Sequence, residues 1–207
     1  VVRELIFIRH GETEWNVTGR LQGRADSPLT DVGRRQVRAH LSWLLELRPE
    51  LIVTSPLGRT QATAKILADA LGLEVEIDPR LAERSMGRFE GFTLDEVTAT
   101  DPEESDRRIQ DPWGYRAPLG ENYDDMVERV TPLVDRLVDH PARRIVVVSH
   151  GTLVRVLLGC LLGLERETLL RVRQPNAVAY QVRLDTAGSD VVRWEGGCAS
   201  PGLLLSD

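Results

Sequence analysis

Short apolar runs alternate with helix-periodic stretches through the first third of the chain. Leu5-Ile6-Phe7-Ile8 is bounded by charge and reads as a strand buried on both faces. From Leu29 to Arg48, Val37, Leu41, Leu44 and Leu45 recur at helical spacing. That predicts one helix, with Thr30 as its cap and Pro49 as its stop. Leu51-Ile52-Val53 is a second buried strand, and Ser55-Pro56 reads as the start of the next helix. Ala64, Leu67, Ala68 and Leu71 form that helix's inner stripe, and Gly72 ends it. Val75 to Ile77 is a third strand. The order strand, helix, strand, helix, strand predicts an α/β fold with parallel strands.

The middle is less regular. Residues 82–121 mix Gly, Pro and Asp with Phe89, Phe92 and Trp113, which predicts short helices and loops and no separate domain. A helix is expected from Asn122, which caps it with support from Asp125. Met126, Val127, Val130, Leu133, Val134 and Leu137 carry its stripe, and Pro132 inside it predicts a kink or a short break. Ile145-Val146-Val147-Val148 is the clearest strand. The apolar segment Thr152 to Leu162 follows it as a deeply buried helix. Ala177 to Leu184 and Val191 to Trp194 read as two strands joined by a turn at Ala187-Gly188, added antiparallel at the sheet edge. Residues 195–207 read as a loose tail.

Composition narrows the class. The chain has 207 residues, 42% hydrophobic and 28% charged, an ordinary globular mix that excludes a disordered chain, a collagen-like fibre or a coiled coil. No apolar run approaches the 18 residues or so of a membrane span. The formal charge of −6 argues against nucleic acid or an anionic membrane as partner. The basic side is nearly all arginine, with Lys65 the only lysine. Cys160 and Cys198 do not make a disulfide framework, and no secretory pattern opens the sequence. A cytoplasmic setting is the expectation. Asn16-Val17-Thr18 is a formal glycosylation sequon but has no secretory context.

Two strand ends carry candidate chemistry. Ile8-Arg9-His10-Gly11 and Val148-Ser149-His150-Gly151 both run strand, polar residue, histidine, glycine. Ligand sites of open α/β sheets lie beyond the C-terminal ends of strands. If the two strands are neighbours, both imidazoles enter one cleft. The helix after His150 would aim its first amides there, and Arg9 and Arg59 would add guanidinium donors. Together these favour an anion such as phosphate. Arg9 beside His10 opposes a bound cation, so no metal and no cofactor is expected. Phosphate-loop, dinucleotide, HExxH, GxSxG and zinc-spaced cysteine motifs are all lacking.

The full set of motifs resembles the histidine phosphatase superfamily, also called phosphoglycerate mutase-like. The matching runs are Arg9-His10-Gly11-Glu12-Thr13, Asn16, Leu21-Gln22-Gly23, and Leu29-Thr30 with Gly33. Further along come Thr54-Ser55-Pro56-Leu57-Gly58-Arg59-Thr60 with Thr63, Leu81-Ala82-Glu83 with Gly87 and Glu90-Gly91, Gly120-Glu121, and Ser149-His150-Gly151. The resemblance implies a single domain over 1–207, built as a three-layer α/β/α sandwich with a mostly parallel sheet and an antiparallel edge. It implies His10 as a nucleophile that becomes phosphohistidine and Glu83 as general acid and base. Arg9, Arg59, His150 and Asn16 would hold the phosphoryl oxygens, with His150 charged. Glu83 would lie in apolar surroundings or near an anion. Glu90 and Glu121 are the alternative acids.

The family holds both hydrolases and mutases. Leu21-Gln22-Gly23 and Gly87-Arg88-Phe89-Glu90-Gly91 resemble its phosphatases, whereas Glu83-Arg84 resembles the Glu-Arg pair of its mutases. The expected function is therefore a metal-independent hydrolase of a small phosphorylated metabolite. A phosphoglycerate mutase and a non-catalytic phospho-ligand or protein-binding member are the alternatives. Segment 84–120 is expected to wall the substrate pocket. Gln22, Gly23, Arg84, Arg88, Trp113 and Arg116 are its candidate contacts. His40 and His140 are expected at the surface or in packing. The late strands leave an edge at which two copies could pair as a homodimer.

Overall fold

The computed structural model describes residues 3–206. In chain order the strands are β1 (Arg3–Arg9), β2 (Leu51–Thr54), β3 (Val75–Ile77), β4 (Arg144–Ser149), β5 (Val178–Asp185), β6 (Gly188–Glu195) and β7 (Cys198–Pro201). The helices are α1 (Glu14–Val17), α2 (Asp31–Ala39), α3 (Leu41–Leu47), α4 (Gly58–Leu71), α5 (Leu94–Thr100), α6 (Pro102–Gln110), α7 (Tyr123–Asp139), α8 (Gly151–Leu162) and α9 (Arg166–Arg171). Short 3₁₀ turns lie at Pro79–Leu81 and Gly87–Phe89.

The sheet order is β3-β2-β4-β1-β5-β6-β7. β3, β2, β4 and β1 pair in parallel, and β5, β6 and β7 continue the sheet antiparallel from β1. Strand alternation divides the core. Leu5, Phe7, Ile145 and Val147 face one side, under α7 and α8. Ile6, Ile8, Val146 and Val148 face the other, under α2, α3 and α4. The fold is thus a three-layer α/β/α sandwich with a mixed, largely parallel sheet. A smaller apolar cluster of Phe89, Val97, Tyr115 and Ala117 supports the 84–120 segment, which does consist of short helices and loops. Among the described residues no helix is long and apolar enough to cross a membrane.

Five local expectations need correction. The helix expected over 29–48 is two helices, because His40 turns inward and its N–H reaches back three residues to the Val37 carbonyl. Thr30 does cap the first, and Arg48 ends the second in the left-handed region at φ 55°. The helix after β2 starts at Gly58, not at Ser55-Pro56, which leaves the Ser55 hydroxyl for the site. Of the kink or short break expected at Pro132, the break is absent: α7 runs through it. Pro132 and Glu128, whose carbonyl the ring leaves without its helical donor, both face solvent. β6 begins at Gly188, three residues before the expected Val191. The tail is not loose: β7 pairs with β6, Leu205 bridges to Val172, and the Ser206 N–H donates to Arg171. Glycines at 196 and 197 supply the positive-φ turn that folds it back.

His40 is 1% exposed, and neither of its ring nitrogens has a partner within the protein. It stands edge-on to Trp43, which stacks on Trp194 at 4.5 Å. Burial lowers its pKa from 6.5 to about 4. The folded-state pKa is depressed, so the stabilisation is full above pH 6.5 and is lost as pH falls toward 4. That shift corresponds to about 3 kcal/mol. His40→Leu is therefore expected to lose about 3 kcal/mol less unfolding free energy than wild type between pH 7 and pH 4. Urea unfolding at both pH values measures this; equal losses in the two proteins would exclude His40 as the source.

Candidate active site

β1 and β4 are neighbours, with Arg9 in register opposite Ser149. The next residues, His10 and His150, therefore leave the sheet side by side, with ring centroids 5.3 Å apart. The His10 N–H donates to the Ser149 carbonyl, and the Asn176 amide donates to the His10 carbonyl at 2.7 Å. Glycine is required just after it. A Cβ on Gly11 would lie 2.5 Å from the Gly33 carbonyl, and one on Gly33 would lie 2.1 Å from the Glu12 carbonyl. The loop after His10 is thus pressed directly against the first turn of α2.

His10 Nδ1 lies 2.8 Å from the Gly11 carbonyl oxygen. A carbonyl only accepts, so this contact assigns the proton to Nδ1 and the lone pair to Nε2. Burial pushes the His10 pKa well below 6.5, and Arg9 and Arg59 push it further in the same direction. The ring is neutral at neutral pH. His150 is fully buried, and burial followed by Arg59, His10 and Arg9 lowers its pKa in the same way. Burial and these neighbours thus disfavour the charge expected on His150. Its Nε2 lies 2.8 Å from Ser55 Oγ, which already accepts from the Leu57 N–H. If the Ser55 hydroxyl donates to Nε2, the proton of the neutral ring falls on Nδ1. That atom is buried and has no partner within the protein.

Two guanidiniums flank the imidazoles. Arg9 donates to the Gln174 carbonyl at 2.9 Å. Arg59, 2% exposed, donates to the carbonyls of Ala25 and Gly23 at 2.6 and 2.7 Å and pairs with Asp26 at 3.1 Å. Both retain a buried Nε with no partner within the protein, as does the side-chain carbonyl of Gln22. Asn16 uses its Oδ1 to accept from the Thr13 N–H and hydroxyl, which leaves its amide group to donate elsewhere.

Glu83 enters from the segment after the Pro79–Leu81 turn. Ser149 Oγ donates to the Leu81 carbonyl and Arg129 to that of Ala82, which fixes this segment against the end of β4. The Glu83 carboxylate accepts from the N–H groups of Thr152, Leu153 and Arg84 at 3.1, 3.2 and 2.8 Å. One expectation changes here: the surroundings of Glu83 are hydrogen-bonding, not apolar. Glu90 and Glu121 are engaged elsewhere. Glu90 accepts from the N–H groups of Arg24, Ala25 and Met86, and Glu121 pairs with Arg24 and Arg129.

Arg9, His10, Asn16, Gln22, Gly23, Arg59, Glu83 and Arg84 line one cavity of about 180 Å³. His150 adjoins it, its ring centroid 5.3 Å from that of His10. The expected wall from 84–120 is confined to Arg84 and Met86. Arg84 is largely tied down: it donates to the carbonyls of Glu121 and Tyr115 and lies over the Tyr123 ring. Arg88, Trp113 and Arg116 lie outside this cavity. Arg88 pairs with Asp101 and Arg116 with Asp125, while Trp113 stacks on Tyr123 and donates to Asp124. A second cavity of about 480 Å³ adjoins the first and shares Arg9, Glu83 and Thr152 with it. Its far wall, Arg155 and residues 173–176, is absent from the sequence reading. Gln174-Pro175-Asn176 is a polar loop with no spacing signature, and only the sheet order brings it to His10. No group of three or more His, Cys, Asp or Glu side chains suited to a metal ion occurs among the described residues.

A buried neutral imidazole amid guanidiniums at the ends of parallel strands is suited to a phosphoryl group. The family model for the histidine phosphatase superfamily, branch 1, matches residues 5–196, and the chain belongs to that family. It is an enzyme of the hydrolase class. A probable phosphoglycerate mutase, GpmB, of Yersinia enterocolitica is 39% identical over 183 residues, 86% of this chain and 85% of that protein. The alpha-ribazole phosphatase of Shigella flexneri is 27% identical with a TM-score of 0.82, covering 98% of this chain and 96% of that one. Mycobacterial glucosyl-3-phosphoglycerate phosphatase, solved with VO3, is 32% identical with a TM-score of 0.76, covering 99% of each chain.

The His10 titration can be read directly. In wild type its imidazole carbon-bound proton shift should hold its neutral value as pH falls through 6.5. In Arg9→Gln, removing one repelling charge should move the titration to higher pH. NMR of ring-labelled histidine measures both; a wild-type midpoint near 6.5 would contradict the buried neutral ring.

Proposed function

We propose that this chain hydrolyses a small phosphomonoester through a phosphohistidine on His10, without a metal ion. The observation that carries this reading is a buried, neutral His10 that lines one cavity with Arg9, Arg59 and Glu83 and has its lone pair on Nε2. A neutral imidazole needs no deprotonation before it attacks.

In the first step His10 Nε2 forms a bond to phosphorus as the bond from phosphorus to the alcohol oxygen breaks. Glu83, in its acid form, gives its proton to that oxygen. In the second step water attacks the phosphohistidine, and the phosphorus–nitrogen bond breaks. The water's proton passes to Glu83, and inorganic phosphate leaves. Charge on the equatorial oxygens is met by the donors that lack partners within the protein: Arg9 Nε, Arg59 Nε and His150 Nδ1. The free amide of Asn16 adds a fourth. A neutral His150 serves here as a hydrogen-bond donor. Gln22 and Gly23 border the phosphoryl group from the loop that Arg59 and Glu90 fix.

Two observations bear on hydrolysis against transfer. Glu83 sits where the small cavity meets the larger one, so there is room for a water beside the phosphohistidine. The identity to a probable phosphoglycerate mutase favours the second reading, return of the phosphoryl group to a bound phosphoglycerate. We set the reaction in the cytoplasm with a small molecule as partner, a reading that the acidic chain and two free cysteines support.

Turnover of a phosphomonoester panel in EDTA should release phosphate. His10→Ala should reduce the release by at least about 10³-fold, and Glu83→Gln by about 10²–10⁴-fold. Parallel assays with 3-phosphoglycerate, with and without 2,3-bisphosphoglycerate, separate the readings. Isomerisation without matching phosphate release would replace the hydrolase with the mutase. Full phosphate release by His10→Ala would remove His10 from the mechanism.

A further inference from the structure

The cavity of about 180 Å³ around His10 is small beside the 300–1,000 Å³ typical of whole ligand sites. It suits a phosphoryl group and little more. The adjoining cavity of about 480 Å³ falls in the usual range. The residues common to both are Arg9, Glu83 and Thr152. If Glu83 protonates the departing oxygen, that oxygen lies at this boundary. The phosphoryl group then occupies the small cavity, and the alcohol part occupies the large one.

The large cavity has its own charge. Arg155 donates to the Val172 carbonyl through Nε and to the Tyr123 hydroxyl through one terminal nitrogen. Arg173 lies across the cavity on the loop before β5, and its side chain is exposed. Neither forms an ion pair with a carboxylate among the described residues. Elsewhere on this acidic protein arginines are commonly matched, as Arg20 is with Glu96, Arg88 with Asp101 and Arg166 with Asp124. Glu83 is the only carboxylate lining the large cavity, and its oxygens are held by backbone N–H groups. Arg155 is close enough to Arg9 for their charges to repel. Unmatched cations gathered around a polar cavity favour an anion there.

We infer that the large cavity, between the start of α8 and residues 173–176, binds the substrate's alcohol portion, and that this portion carries a second anionic group received by Arg155 and Arg173. The substrate class is then a phosphate ester of an anionic alcohol, such as a hydroxy acid, in preference to a neutral alcohol. This rests on the hydrolase reading for the placement of the oxygen at Glu83. The cations and the cavity wall are independent of it.

The test uses two pairs of esters that differ only by a carboxylate in place of CH₂OH: 3-phosphoglycerate against glycerol 3-phosphate, and 6-phosphogluconate against sorbitol 6-phosphate. Wild type should favour the acid by at least about tenfold in kcat/KM in one pair or both, and added salt should erode that preference. Arg173→Ala, whose side chain is exposed, should lose about tenfold toward the favoured acid and less than about twofold toward its neutral partner. Arg173→Glu should lose more, and Arg173→Lys should keep most of the preference. No preference in either pair, or equal loss toward both members in Arg173→Ala, would overturn the inference. Binding of the same four esters to His10→Ala, followed by calorimetry, keeps the two readings apart. Tighter binding of an acid that needs Arg173, with no turnover by wild type, would retain this subsite while the hydrolase reading fails. Turnover with no carboxylate preference in either assay would do the reverse.

Discussion

The parallel pairing of β1 with β4 is the constraint on which the rest of the site depends. Its register places Arg9 opposite Ser149, so both following histidines leave the sheet at the same height. A slip of one residue would turn Leu5 and Phe7 away from α7 and α8, and Ile6 and Ile8 away from α2 and α4. The two-sided core therefore holds the register far more strongly than contacts within the site do. The same register sets Ser55, just past β2, against His150, because β2 pairs with β4 on its other side. Three strands thus fix the imidazoles.

Burial then decides what those imidazoles are. Desolvation is the leading cause of the lowered pKa at His10 and at His150, and neighbouring guanidiniums add to it. Both effects favour neutral rings, so the fixed positive charge belongs to the arginines. Arg59 is held by carbonyls and one carboxylate, and Arg9 by a single carbonyl. Each guanidinium is partly satisfied by the protein and keeps a donor back. Cations buried in this way remain hydrogen-bonded, and their geometry is set before any ligand arrives.

Much of this was legible in the sequence, for a physical reason. β1, β2 and β4 are buried on both faces and so stand out as unbroken apolar runs. A histidine and a glycine directly after such a run must lie at a strand end. The Thr30 and Asn122 caps were equally plain, since a side-chain oxygen at the start of an apolar stripe has one dominant local use. What the sequence hid depends on distant contacts. His40 breaks a helix because its ring packs on Trp43, whose partner Trp194 is about 150 residues away in sequence. β7 is short and exposed and has no pattern of its own; it exists because β6 offers an edge. Arg88 and Arg116 read as pocket cations by composition, yet nearby carboxylates take them. Arg155 and Arg173 carry no spacing signature in the sequence, and the fold sets both on one cavity.

Glu83 joins these arguments. Its carboxylate occupies the N-terminal amides of α8, a position that elsewhere would attract a phosphate. In the mechanism we propose, the helix N-terminus thus holds the proton carrier, and the phosphoryl oxygens fall to arginine and histidine. That arrangement sets Glu83 on the line between the two cavities, with His10 on one side and unmatched arginines on the other. A carboxyl group at such a boundary is next to the one oxygen that belongs to both halves of a phosphate ester. On the proposed reading, the geometry that makes Glu83 the acid also orients the substrate, phosphoryl group toward β1 and alcohol toward the loop that precedes β5.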